Sequence, residues 1–327
     1  MIYPWFESVI TNLDKALKAN RLSHALLFQA KSGSGIEALL VELAKGLTCN
    51  ANDSLVACNN CRDCQLWNSQ QVHPDVFEIA KDDAVIRVDA IRALKSRVYL
   101  TSYSKVGVNQ KGKRIIIIEK LQRLNEASAN ALLKLLEEPP ENTFFLLETD
   151  YIDQLLPTIA SRCEKIVVHI TLDDTVKWLQ SQGQLINTDI DVSALWLMAY
   201  GKPLVIRKLI EDTSQLQLRD QLISLLLSRK QLFDFIQSIK DDQFEIIVFW
   251  LYTLITDIIK LKLSAFDAII HKDCIEQIEM ASKFYSYDVL MSCYQKLNQL
   301  NEAIYKGFHL NKTLWLEDWF NYELKTH

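Results

Sequence analysis

The stretch KRIIIIEKLQRLNEASANALLKLLEEPPENTFFLLETD, residues 113–150, decides the fold. It opens with Ile115 to Ile118, a β-branched run bounded by Lys113-Arg114 and Glu119. A short apolar run without polar alternation reads as a strand buried on both faces, as in a parallel sheet. Ala129, Leu132, Leu133 and Leu136 then recur at helical spacing. Pro139-Pro140 ends that helix, because proline cannot continue it and restricts the residue before it. A second buried run, Phe144 to Leu147, leads through Glu148-Thr149 into a loop that closes on Ser161-Arg162-Cys163. Strand, helix, strand is a βαβ unit.

Working outward, further strands are expected near 24–28, 75–79 and 164–168, alternating with helices. Residues 1–168 therefore read as a parallel α/β sheet domain. Trp5, Val9, Leu13, Ala16 and Leu17 mark an opening amphipathic helix, and Asp89 is expected to cap a helix bearing Ile91, Leu94, Val98 and Tyr99. From about Thr171 the pattern is helix only. Three short helices over 169–211 would form a lid, and longer ones over 212–327 a second helical domain. The last of these, His309 to Leu324, carries Leu310, Leu314, Trp315, Trp319 and Phe320, an aromatic stripe read as core.

Composition narrows the function. The 327 residues are 49% hydrophobic and 24% charged, as in folded globular proteins, and Gly and Pro are scarce at 8 and 6. A net charge of −5 and pI near 5.8 argue against a chain that grips nucleic acid alone. The N-terminus lacks a signal-peptide pattern. The apolar run Ile246 to Thr256 is interrupted by Asp257, far short of the roughly 20 residues needed to cross a bilayer, and reads as a buried helix. A cytoplasmic protein with reduced or metal-bound cysteines is expected.

Ala30 to Glu37 sits between a strand and a helix, where a phosphate-binding loop of the form G-x-x-x-x-G-K-[ST] would lie. Ala30 replaces its first glycine, Ile36 its lysine and Glu37 its hydroxyl. An apolar side chain cannot neutralise phosphate, and a carboxylate repels it. An ordinary strand-to-helix loop is the alternative; either way this chain is expected to bind no ATP.

Cys49, Cys58, Cys61 and Cys64 follow a C-x8-C-x2-C-x2-C spacing. Four thiolates suit a closed, structural tetrahedral Zn2+ site. Unrelated free thiols are the alternative. Cys163, Cys274 and Cys293 read as core residues. His73 is a further conceivable ligand, but four sulfurs suffice. Lys105 to Arg114 reads as a basic solvated loop.

The run Asn130 to Leu147 followed by Ser161-Arg162-Cys163 resembles the AAA+ module of bacterial clamp loaders. The resemblance implies a RecA-like sheet with a zinc insertion, an all-α lid and an all-α collar that holds a pentamer together. Against that family, Glu119-Lys120 replaces the Asp-Glu of an active Walker B strand. Thr149 falls at the sensor-1 position, and Leu204 falls where active relatives carry a sensor arginine. Arg162 matches the arginine that reaches a neighbour's ATP. An ordinary surface arginine paired with a carboxylate is the alternative. The resemblance thus implies a non-motor subunit that works beside ATP-binding gamma/tau subunits and the delta subunit. Together they would load the beta sliding clamp on primer-template DNA. Two rivals stand beside it: an active gamma/tau-like motor, and a zinc-dependent DNA-binding module.

Overall fold

Ile115 to Ile118 are all buried, and Arg114–Ile118 is an inner strand of a parallel sheet. The computed structural model describes residues 2–69, 73–79, 85–99, 112–184, 192–212, 214–228, 232–240, 243–305 and 311–323. The chain divides into two units, Met1–Ser181 and Gln182–His327. The expected border at 168/169 falls inside the first unit.

In the first unit the strands are β1 (Ala25–Gln29), β2 (Val76–Ile79), β3 (Arg114–Ile118), β4 (Thr143–Thr149) and β5 (Glu164–Val167). Their order is β2-β3-β4-β1-β5, and every pairing is parallel. The helices are α1 (Glu7–Lys18), α2 (Ile36–Thr48), α3 (Arg62–Asn68), α4 (Val88–Val98), α5 (Glu126–Glu137), α6 (Pro157–Ala160) and α7 (Leu172–Ser181). Successive strand residues face opposite sides. Ile116, Ile118, Phe145 and Leu147 join one core cluster with Leu94 of α4 and Leu132 and Leu136 of α5. Ile115, Ile117 and Leu146 are equally buried on the other side, where α2 packs on β3 and β4. Coverage of both faces is why these strands carry no polar alternation. This α/β architecture is the expected one.

Parallel strands present their carboxyl ends at one edge. Register pairs Gln29 with Thr149 and Ile118 with Leu147, so the β1 loop, Glu119 and Glu148 gather there.

One cap differs from expectation. Arg87 occupies the N-cap position of α4 in an extended conformation, and Asp89 lies within the first turn. Its carboxylate meets Arg92 at 3.3 Å. It complements the helix dipole there and does not cap. Asn125 is the residue that does cap, accepting from Ser128 N–H at the start of α5 at 2.8 Å. In the basic loop, residues 105–111 lie outside the described residues.

Among its described residues the second unit carries helices and no strand: α8 (Val192–Met198), α9 (Pro203–Glu211), α10 (Ser214–Leu227), α11 (Leu232–Ser238), α12 (Phe244–Lys262), α13 (Ile275–Phe284), α14 (Tyr287–Tyr305) and α15 (Lys312–Asp318). α12 packs on α10, α13 and α14 and buries residues on most of its circumference. That accounts for the apolar run that ends at Asp257. Among the described residues no helix is long and apolar enough to cross a membrane. Asp257 is itself fully buried. Burial opposes its charge, but the His271 side chain and backbone and Lys260 hold its carboxyl below the usual range. The expected final helix is shorter: α15 passes into a π-helical turn at Trp319–Glu323. Trp319 and Phe320 are buried as expected, whereas Leu314 is exposed. His309 and Leu310 lie outside the described residues.

Candidate functional site

The loop between β1 and α2 turns on two glycines. Gly33 and Gly35 have φ of 86° and 82°, the left-handed region that favours glycine. Gly35 also has no room for a side chain: an added Cβ would lie 2.3 Å from the Tyr3 ring. Trp5 Nε1 donates to Ser34 O at 3.0 Å. Tyr3 and Trp5 stack with centroids 5.0 Å apart, and Trp178 of α7 packs edge-on against both. This aromatic cluster ties α7 to the first unit.

Both donors of Ser32 in this loop are already used. Ser32 N–H donates to Asp150 Oδ1 at 2.7 Å, and Ser32 Oγ donates to the same oxygen at 3.0 Å. A carboxylate of the chain thus sits on a backbone amide of the loop. Ile36, at the lysine position, is fully buried.

Around this loop the edge is acidic. Glu119 and Glu148 are both buried. Lys120 adopts a left-handed conformation at φ 54°, and its N–H donates to Glu148 Oε2 at 2.6 Å. Burial, reinforced by the charges of Asp150, Glu37 and Glu119, pushes the Glu148 carboxyl up to about 8 against the pull of the Lys120 N–H. Thr149 Oγ1 donates to Gln122 Oε1 at 2.8 Å and accepts from Tyr151 N–H at 3.3 Å, so its hydroxyl is spent on the turn.

Glu148 gives the fold a pH dependence. It holds its proton more tightly folded than unfolded, so its contribution is full below the ordinary carboxyl value and is lost as pH rises towards about 8. Glu148→Gln keeps an acceptor for Lys120 N–H and removes the titration. Its melting temperature relative to wild type should climb between about pH 5 and about pH 8.5, by about 4 °C or more. A flat difference across that range would refute the burial argument.

Arg162 lies two residues beyond α6. Its Nη1 donates to Thr158 O at 2.9 Å, and its Nη2 meets Glu137 Oε1, at the end of α5, at 2.5 Å. The side chain stays 36% exposed. Cys163, read as a core residue, is only half-buried against the sheet core, and burial pushes its thiol up to about 11. Cys274 and Cys293 are buried as expected.

Cys49, Cys58, Cys61 and Cys64 converge, with all four sulfurs within 4.8 Å of one another. Cys49 and Cys61 Sγ lie 3.9 Å apart, and Cys58 and Cys64 Sγ 3.8 Å apart. Tetrahedral Zn–S bonds of about 2.3 Å set sulfurs about 3.8 Å apart, so the four can hold one metal ion of that size. The backbone N–H groups of Asn60 and Cys61 point at Cys58 Sγ and pull its thiol down to about 6. Burial pushes the Cys64 thiol up. His73 is not part of the cluster: its Nε2 meets Asp63 Oδ1 at 3.2 Å, and Asp63 also holds the Asn50 amide. This buried chain braces α3, which carries Cys64. Asp14 of α1 anchors the insertion by accepting from Ser54 Oγ and Leu55 N–H, both at 2.8 Å.

The family described as DNA polymerase III, delta subunit matches residues 5–171, and its C-terminal counterpart matches residues 212–323. DNA polymerase III subunit delta' of Escherichia coli K12 is 31% identical over 79% of this chain and 76% of its own length. The chain belongs to the delta' family of DNA polymerase III subunits. DNA polymerase III subunit delta' of Yersinia pestis is 27% identical over 97% of this chain and 93% of its own. Among solved structures, a DNA polymerase III gamma subunit-related protein of Thermotoga maritima covers 95% of this chain and 98% of its own at 18% identity, with a TM-score of 0.46. The four-cysteine cluster and Arg162 both fall within residues 5–171 of the family match.

Sequence reasoning named Arg162, the cysteines, Glu119 and Thr149, but it passed over Asp150, Glu148 and Glu137. The signal for the first two was a pair of acids at the carboxyl end of a buried strand, Glu148-Thr149-Asp150. Glu137 carried none, because its partner lies 25 residues away in the chain.

Proposed function

We propose that this chain is a non-motor subunit of the clamp loader that supplies Arg162 in trans to the ATP site of a neighbouring gamma/tau-type subunit. The observation that carries this reading is a contrast within one unit. The phosphate loop is closed by Asp150, Tyr3 and buried Ile36, while Arg162 stays at the surface. A triphosphate entering the loop would have to displace one carboxylate and lie among others. A finger needs no ATP site in its own chain: it offers fixed charge and forked donors to a phosphoryl group that gains charge as it transfers.

Within the assembly residues 169–211 would supply the lid and residues 212–327 the collar. The delta subunit, the beta sliding clamp and primer-template DNA would be met through the complete ring, which suits a chain of net charge −5. Cytoplasmic residence follows from that role. The cysteine cluster would hold a structural zinc ion with all four positions filled, leaving none for catalysis.

The test is reconstitution. ATP turnover by gamma/tau and delta subunits, with clamp and primed DNA, should require this chain. The chain alone should give no saturable ATP titration up to about millimolar, the weak end of the affinity scale. Micromolar binding by the isolated chain would return the reading to the motor. Tight, salt-dependent DNA binding by it alone would favour the zinc module.

A further inference from the structure

Glu137 stands in α5 where a negative charge is disfavoured. It is a carboxylate in the last turn, beside Glu138, where the helix dipole disfavours negative charge, and Lys134 is the one basic residue of that turn. Its ion pair with Arg162 is half exposed, 36% and 47% for the two side chains, and such pairs add little stability. What the pair does fix is direction. Arg162 spends one donor of Nη2 on Glu137 and one of Nη1 on Thr158 O. A guanidinium has five N–H donors, so three remain free of these two contacts.

We infer that Glu137 is a positioning residue for Arg162. With the Thr158 carbonyl, it holds the guanidinium on the end of α5 and the turn after α6, its remaining donors turned outward. The anion it serves is the transferring phosphoryl group of a neighbouring subunit's nucleoside triphosphate. An arginine side chain is long and rich in rotamers, and a tether set before docking removes part of the ordering cost of the encounter. Glu137 touches neither phosphate nor nucleophile and acts only through Arg162. The inference rests on the trans role proposed above.

The experiment is a double-mutant cycle in the reconstituted complex, with assembly checked by size exclusion. The variants are Arg162→Ala, Glu137→Ala, the pair of them, Glu137→Gln, Glu137→Lys and, as a charge control, Glu138→Gln. Glu137→Ala should lower ATP turnover threefold or more, of the order expected of a loosened catalytic group. Glu137→Gln, which keeps an acceptor oxygen for Nη2, should recover most of that loss. Glu138→Gln should match wild type. In the Arg162→Ala background, Glu137→Ala should change nothing further. Glu137→Lys suits the helix end, so folding is not at risk, and it repels the guanidinium; it should fall below Glu137→Ala.

Three results would overturn positioning by Glu137. The first is wild-type turnover in Glu137→Ala or Glu137→Lys while Arg162→Ala is impaired. The second is an equal fold loss from Glu137→Ala in both backgrounds. The third is a loss in Glu138→Gln as large as that in Glu137→Ala. If Arg162→Ala itself turns over normally, the trans role fails and this inference with it, an outcome distinct from the other three.

Discussion

Arg162→Ala should assemble normally and lower ATP turnover of the clamp- and DNA-stimulated complex tenfold or more. Arginine fingers are worth about 10³ to 10⁵ in rate at the site they serve. A loader with more than one ATP site would show a smaller loss in total turnover, hence the tenfold bound. The effect separates from stability. The Arg162 side chain is 36% exposed and its partner 47% exposed, so the pair contributes at most about 1 kcal/mol. The melting temperature should therefore fall by no more than about 4 °C. Arg162→Lys keeps the charge but loses the planar fork, and should restore only part of the rate. Unchanged turnover would leave Arg162 as a surface arginine that joins α5 to the turn after α6, and this chain as at most a scaffold in the ring.

Metal analysis of the purified chain should find one zinc ion, and Cys64→Ser should lose it. The expected cost is large because the insertion has few other means of staying folded. Among its residues, Leu55 and the cysteines Cys49 and Cys64 are buried apolar groups, while Val56 is 61% exposed. Apparent binding energies of structural zinc reach about 10–16 kcal/mol in small peptides. If even a few kcal/mol of that is coupled to the larger unit, the melting temperature should drop by about 10 °C. Protease cleavage should appear within residues 50–68 first. The anchors at Asp14 and the Asp63–His73 chain hold the two ends of the insertion, so the sheet core should stay folded in the variant. A wild-type chain that copurifies without zinc would remove the metal from the account and leave four thiols packed together.

The two isoleucine- and leucine-rich strands were legible because both their faces are covered. Nothing polar breaks such runs, and the proline pair after Glu138 marks where the intervening helix must stop. The cysteine cluster was legible because its ligands lie close in sequence. Glu148 and Asp150 were not. Acids at a strand end read as solvent-facing until parallel register brings Thr149 opposite Gln29 and seats the Asp150 carboxylate on Ser32. The Asp89 expectation failed by position: Val88 already begins the helix, so Asp89 falls inside the first turn, where it cannot cap. The final helix misled through composition. Its stripe fits both an α-helix and the π-helical turn that seats Trp319 and Phe320 in the core.

The filled loop limits what single substitutions can do. A single change of Ile36 to lysine would bury a cation where no exposed surface remains. It would also leave Asp150 on the Ser32 amide and Tyr3 against Gly35. Each step towards nucleotide binding would be destabilising before it was useful. Ile36, Asp150 and Tyr3 would have to change together before this loop could admit a phosphate group, so no single substitution opens it.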